Sequence, residues 1–365
     1  MTTPRSPFTQ DPLAADDPRF VVRHPGVLEI ERLFPSPVTA DKGSVAIEGG
    51  VSIVGGPGMG KTSLLAQLAA KLDRDRQLTT ATVTFPQLRD YASEEGFYPF
   101  VGQLVTRIRD ALLASPRLHD PLLAPVAGAL QAAPSWDGPA PETMTPRGFE
   151  RFIGPLAQAA QRTPGVCLLF DDVDPVTTAP WRGPFISALR FVFQASTGIT
   201  PIYALWTLFG DESLPGSNYF RNVTRPVFLE PLAEDQEGAR QALIASLDVQ
   251  REDTRRALAH LWGGHPLLLQ QGLSALDEAL VTPESRANLT PEGIDAALGP
   301  ARVDAQLALV RSLLDRSMGL PAALRELAQS PVPFNKLPRG LVASGFVDRT
   351  DDGLSCLPPR VGAAL

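Results

Sequence analysis

The stretch Val51-Ser52-Ile53-Val54-Gly55-Gly56-Pro57-Gly58-Met59-Gly60-Lys61-Thr62 decides the fold. A short apolar run, Val51 to Val54, ends at Gly55. From Thr62 to Leu72 the spacing of Leu64, Leu65, Leu68 and Leu72 puts four apolar side chains on one helical face. The loop between strand and helix fits G-x-x-x-x-G-K-[ST] completely. Each residue type there has a physical purpose. Glycines let backbone N–H groups converge on phosphate oxygens. The helix that follows points its positive end at the anion. Lys61 can reach β- and γ-phosphates, and the Thr62 hydroxyl can ligate Mg²⁺. Gly55, Gly56, Pro57, Gly58, Met59, Gly60, Lys61, Thr62 and Ser63 are therefore the candidate nucleotide-binding residues.

Such a loop needs a second element, a buried strand ending in acid. Val166-Cys167-Leu168-Leu169-Phe170-Asp171-Asp172 supplies it. Asp171, at the end of the run, is the candidate partner of Thr62 in holding Mg²⁺, through water. Asp172 is the candidate that polarises or orients the attacking water. With Lys61 these two are the candidate catalytic residues. Asp174 reads as a turn or cap residue. Guanine-specific loops of this kind carry an N-K-x-D element. Here the Asn-Lys pair, Asn335-Lys336, is followed by Leu337-Pro338 and lies far from the sheet, so adenine is preferred and the expected ligands are ATP and ADP.

Outward from the loop, strand and helix patterns alternate. Strands are expected at Thr79–Phe85, Val166–Phe170, Ile199–Leu208 and Val227–Leu229. Helices are expected at Phe100–Leu113, Gly148–Gln161 and Phe185–Phe193. All-apolar strands alternating with helices indicate a parallel sheet covered on both faces. Seven prolines between Pro116 and Pro146 forbid one long helix there and predict short helices in an irregular insertion. After about Leu232 the pattern is helical, through Glu234–Leu247, Glu252–Trp262 and Pro266–Leu280, with a break near Thr282–Pro300. From about Arg302 three helices precede a hairpin, in which Phe346–Arg349 and Leu354–Leu357 flank Asp351-Asp352-Gly353. That order suggests a winged helix.

Composition bounds the function. The chain has 365 residues, enough for two or three domains, with 44% apolar and 20% charged residues. The net charge of −7 argues against a general nucleic-acid coat. Four of the 33 basic residues are lysines, a bias read as genome composition. Two cysteines, Cys167 and Cys356, exclude a disulfide scaffold and a cysteine zinc site. No zinc-type histidine pair and no G-x-S-x-G elbow occurs, which removes most of the weight from zinc and serine hydrolases. There is no apolar run of membrane length and no signal-like N-terminus, so the expected location is the cytoplasm, without membrane contact.

The phosphate loop, Leu168-Leu169-Phe170-Asp171-Asp172-Val173-Asp174 and Gly263-Gly264-His265-Pro266-Leu267-Leu268-Leu269 occur in this order. Together they resemble the STAND class of P-loop ATPases, relatives of AAA+ and of the origin-recognition ATPases. Phe20-Val21-Val22-Arg23 followed by Glu29-Ile30-Glu31-Arg32-Leu33 resembles the adenine-side signature of that class, with Val22 where it usually has Gly. The resemblance implies an α/β P-loop core with strand order 5-1-4-3-2, a helical lid and a C-terminal winged helix. The expected bounds are 1–19 for an N-terminal segment, 20–231 for the core, 232–300 for the lid and 301–365 for the winged helix. It also implies nucleotide contacts from Arg23 on the adenine side and from His265 and Pro266 on the lid. By residue pattern alone, Gly-Gly-His-Pro is a helix break followed by a start with Pro at N1.

Departures from the class lower the expected rate of hydrolysis. The fourth strand of the class often ends in an arginine that senses the γ-phosphate. This chain reads Ala204-Leu205-Trp206-Thr207-Leu208-Phe209-Gly210, leaving Thr207 as a hydrogen-bonding sensor. Arg221 and Arg225 are candidates for an arginine acting in trans, against the plainer reading of solvated side chains. Asp172 in place of Glu shortens the reach to water. Between Arg302 and Leu365 there are eight basic and six acidic residues, a balance of +2, so charge does not support DNA contact by the winged helix.

The function expected is a slow ATPase switch that controls self-assembly or engagement of a protein partner. A DNA-dependent ATPase or loader, a nucleotide-bound scaffold without turnover and a small-molecule kinase are the competing readings.

Overall fold

The computed structural model describes residues 30, 50–86, 96–132, 146–177, 179–195, 198–206, 224–232, 239–316 and 319–365. Arg23, the segments 1–19 and 20–33 apart from Ile30, Thr207 and Arg221 lie outside them, so the readings made on those residues are not addressed. The described chain divides into two compact units. One holds Val51–Val54 and Lys61–Val227. The other holds Gly55–Gly60 and Phe228–Leu365.

The first unit is built on five strands: β1 Val51–Val54, β2 Thr79–Thr84, β3 Val166–Asp171, β4 Ile199–Leu205 and β5 Arg225–Phe228. Their order is β2-β3-β4-β1-β5, the order expected. β2–β3, β3–β4 and β4–β1 pair in parallel. β1, β3 and β4 are buried along their whole length, while β2 at the edge alternates. That is the pattern for strands covered on both faces and for one at the rim.

The described helices of this unit include α1 Lys61–Arg76, α2 Phe97–Leu113, α3 Ala124–Ala132, α4 Pro146–Ala160, α5 Asp174–Thr177 and α6 Arg182–Ala195. α1 buries Leu64, Leu65, Leu68 and Leu72, the face read from the sequence. α2 starts three residues before its expected position and buries Phe97 and Phe100 besides Val101, Leu104, Ile108 and Leu112. The reason is an aromatic cluster. Phe85 meets Phe100, Phe170 and Phe185 edge-on, and Trp181 lies against Phe97 and Phe100. Edge-to-face pairs of this kind contribute about 0.5–1.5 kcal/mol each beyond their area. In the proline-dense stretch, 3₁₀ turns at Pro116–His119 and Pro121–Leu123 precede α3.

The second unit is helical up to a hairpin. Its elements are α7 Ala239–Ala245, α8 Glu252–Trp262, α9 Pro266–Ala279, α10 Pro283–Ala287, α11 Ile294–Leu298, α12 Pro300–Asp315, α13 Leu320–Gln329 and α14 Arg339–Ala343. β6 Asp348–Arg349 and β7 Ser355–Cys356 then pair antiparallel, and α15 Pro359–Ala364 follows. α10 occupies part of the expected break. Thr282 caps it, with Ser285 completing a capping box and Pro283 at N1. Thr290 likewise caps a 3₁₀ turn that leads into α11.

Two side chains knit this unit together. Arg240 of α7 is buried and donates to both Asp348 carboxylate oxygens of β6, at 2.8 and 3.1 Å, and to the Leu232 and Ala259 carbonyls. Trp262 donates its indole N–H to Gln306 of α12 at 3.1 Å. Gly264 fits beneath Arg240, where an added Cβ would lie 2.7 Å from the guanidinium and 2.8 Å from the Leu232 carbonyl. Among the described residues, no helix is long and apolar enough to cross a membrane.

Candidate functional site

Strands β1, β3 and β4 run parallel, so their C-terminal ends lie along one edge of the sheet. Val54 stands opposite Leu205, and Phe170 opposite Tyr203. In open α/β sheets that edge is where ligands bind. Lys61 and Thr62 open α1, and Asp171 closes β3.

The side-chain half of the site lies in the first unit. Thr62 donates its hydroxyl to Asp171 Oδ2 at 2.7 Å. Asp171 is buried, and its other oxygen accepts the Asp172 N–H at 3.1 Å. Asp172 is exposed and sits in the left-handed region, with φ 54°. That conformation is uncommon for a residue with a Cβ, though Asp adopts it more readily than most. Asp174 begins α5 and accepts the backbone N–H of Trp206. The pKa of Lys61 lies below the ordinary lysine value. Burial is the main cause, opposed in turn by the charges of Asp174, Asp171 and Asp172. An ammonium among carboxylates at a strand edge is suited to receive the phosphates of a nucleotide.

Two hard oxygen donors, the Thr62 hydroxyl and the Asp171 carboxylate, lie within 2.7 Å of one another. Mg²⁺ takes one or two such protein ligands and keeps water and phosphate oxygens for the rest, so this pair fits it. Among the described residues, no group of three or more His, Cys, Asp or Glu side chains forms a metal cage.

The backbone half of the loop lies in the second unit. Gly58 and Gly60 have φ of 78° and 82°, a conformation glycine adopts without strain. Gly56 donates its N–H to the Ala343 carbonyl at the end of α14, at 2.9 Å. The Pro57 carbonyl accepts from His265 Nε2 at 3.0 Å. Met59 is buried, and a Cβ on Gly345 would lie 2.3 Å from its sulfur.

His265 is buried and caps α9. Its Nδ1 accepts the Leu268 N–H at 3.4 Å, and its ring lies 4.9 Å from that of Phe346. Nδ1 accepting and Nε2 donating define the neutral Nε2–H tautomer. Both ring nitrogens thus bind protein atoms. Pro266 holds the N1 position of α9. The structure accordingly brings together Lys61, Thr62, Asp171 and Asp172 in one unit, and Gly55 to Gly60 with His265 in the other. Ser63 lies on the first turn of α1. Sequence reading missed Ala343, Gly345 and Phe346 as neighbours of the loop, and it missed Arg240 and Asp348. Gly345 carried a weak signal, a glycine just past a short helix.

Fold and site together define a P-loop nucleoside-triphosphatase domain. Residues 38–185 match the family described as "AAA ATPase domain". Among solved structures, a Walker-type ATPase of Pyrococcus abyssi is similar over 98% of this chain and 99% of its own, at 13% identity and a TM-score of 0.56. The Aeropyrum pernix ORC1 protein, solved in complex with DNA, is similar over 96% of this chain and 94% of its own, at 14% identity and a TM-score of 0.49. No curated protein matches the sequence.

Proposed function

We propose that the chain is a nucleotide-operated switch of the STAND type. It binds ATP and ADP with Mg²⁺ at Gly55–Ser63 and hydrolyses ATP slowly. It passes the state of the loop to a lid, residues 232–300, and a winged helix, residues 301–365. The observation that carries this reading is the attachment of the loop's glycine arm to the C-terminal unit. Gly56 is bonded to Ala343, and Pro57 to His265. A ligand that reshapes this loop must keep or break those two bonds. Differential contact of that kind is what lets ATP and ADP favour different arrangements.

The roles follow from position. Lys61 binds the β- and γ-phosphates. Thr62 and Asp171 hold Mg²⁺, which offsets phosphate charge when bound. Asp172, exposed beside Asp171, orients the attacking water. Asp172 has a shorter reach than Glu, and β4 lacks an arginine at its described end, so turnover is slow.

The test is ATP turnover by the purified chain with Mg²⁺, together with the nucleotide released on denaturation. The reading expects slow turnover, absent in Lys61→Ala and Asp172→Ala, and indifferent to added DNA. Wild-type rates in both variants would overturn the catalytic assignment. Strong stimulation by DNA would favour a loader instead.

A further inference from the structure

Asp172 is the one residue of the acidic loop with a left-handed backbone, and the chain on both sides of it is anchored. Before it, the Asp171 carbonyl accepts the Phe85 N–H, just beyond β2, at 3.0 Å. After it, Val173 donates to the Ala204 carbonyl of β4 at 3.4 Å. One residue further, Asp174 accepts the N–H of Trp206. Trp206 is buried and lies one residue past Leu205, the last β4 residue paired with β1. A buried N–H requires an acceptor, and the Asp174 side chain supplies one here. A left-handed non-glycine residue persists only where its surroundings over-determine it. Two side chains also act as anchors: the Asp171 carboxylate accepts the Asp172 N–H at 3.1 Å but is already placed on Mg²⁺, whereas Asp174 is open to test by substitution.

We infer that Asp174 is a positioning residue for ATP hydrolysis: by fixing the loop after β3 to the end of β4, it holds Asp172 in its exposed, left-handed position. This rests on the ATPase reading above. Asp174 acts through Asp172, by its hydrogen bond to the Trp206 N–H. What matters is the acceptor oxygen. An asparagine retains that oxygen and loses the charge. An alanine loses both.

The experiment compares kcat and KM for ATP in wild type, Asp174→Ala and Asp174→Asn. The expected result is a kcat about 10- to 100-fold lower in Asp174→Ala, the scale of a small misplacement of a catalytic group. KM should change little, and Asp174→Asn should stay within about 3-fold of wild type, the range of ordinary context effects. A kcat in Asp174→Asn as low as that expected for Asp174→Ala overturns the inference, because charge rather than the hydrogen bond would then be what matters. An unchanged kcat in Asp174→Ala overturns it too. Amide exchange of the segment Tyr203–Trp206, read without nucleotide, separates this inference from the ATPase reading. Faster exchange in Asp174→Ala and wild-type exchange in Asp174→Asn support the anchor even if wild type does not turn over ATP. Equal exchange in all three proteins refutes it.

Discussion

His265 Nε2 lies 3.0 Å from the carbonyl oxygen of Pro57, across 208 positions of chain. The same ring caps α9 through Nδ1. One buried imidazole thus ties the phosphate loop to the start of a helix. His265→Ala removes a cap, a hydrogen bond and a packed ring. The expected loss is about 2–4 kcal/mol of stability. Urea unfolding measures it, and nucleotide release should also be faster than in wild type.

Breaking the Arg240–Asp348 pair should cost more than any exposed ion pair. Both side chains are nearly inaccessible, with 2% and 9% of their surface exposed, so the survivor of a single substitution is left buried and uncompensated. Asp348→Ala is expected to lose about 3–5 kcal/mol. Arg240→Met combined with Asp348→Leu should recover part of that loss, because no buried charge remains. Chemical denaturation of the three variants checks both statements.

Gly345 has φ 78° and faces Met59 so closely that an added Cβ would lie 2.3 Å from the sulfur. Gly345→Ala therefore incurs both backbone strain and a clash. Its cost is expected at about 1–3 kcal/mol, with the side-chain end of Met59 absorbing some of it. A thermal melt gives the stability. Weaker ATP binding in the same variant would show that the disturbance reaches the loop.

The two thiols should differ in reactivity. Cys167 is fully buried in β3, and burial raises its thiol pKa far above the ordinary range, so it stays protonated at pH 8. Cys356 is partly exposed. The attacking species is the thiolate, so a disulfide reagent should titrate one thiol in the folded chain and both in denaturant.

Much of the candidate site is legible in the sequence, because its signals are local. The loop's glycines, Lys61 and Thr62 are consecutive, and Asp171 and Asp172 end an all-apolar run. The hydrophobic face of α1 is a plain helical repeat. What sequence could not reveal was long-range packing. Nothing near Arg240 announces that its partner is Asp348, since either residue alone reads as a solvated charge. The bond from Gly56 to Ala343 uses backbone atoms alone and leaves no trace in residue type. His265 was expected at the nucleotide by resemblance, and the structure places its two nitrogens on Pro57 and Leu268. α10 was missed although Thr282-Pro283 and Ser285 offered a cap and an N1 proline. Five helical residues bury too little to leave a periodic pattern.

The central claim is that the state of the phosphate loop is felt at the α14–β6 turn through Gly56 and His265. The most direct measurement is amide hydrogen exchange at Gly56 and across Leu341–Asp348, first with ADP and then with a non-hydrolysable ATP analogue, each with Mg²⁺ at saturation. The account predicts that protection at both places changes together between the two nucleotides. Identical exchange in the two saturated states would contradict it.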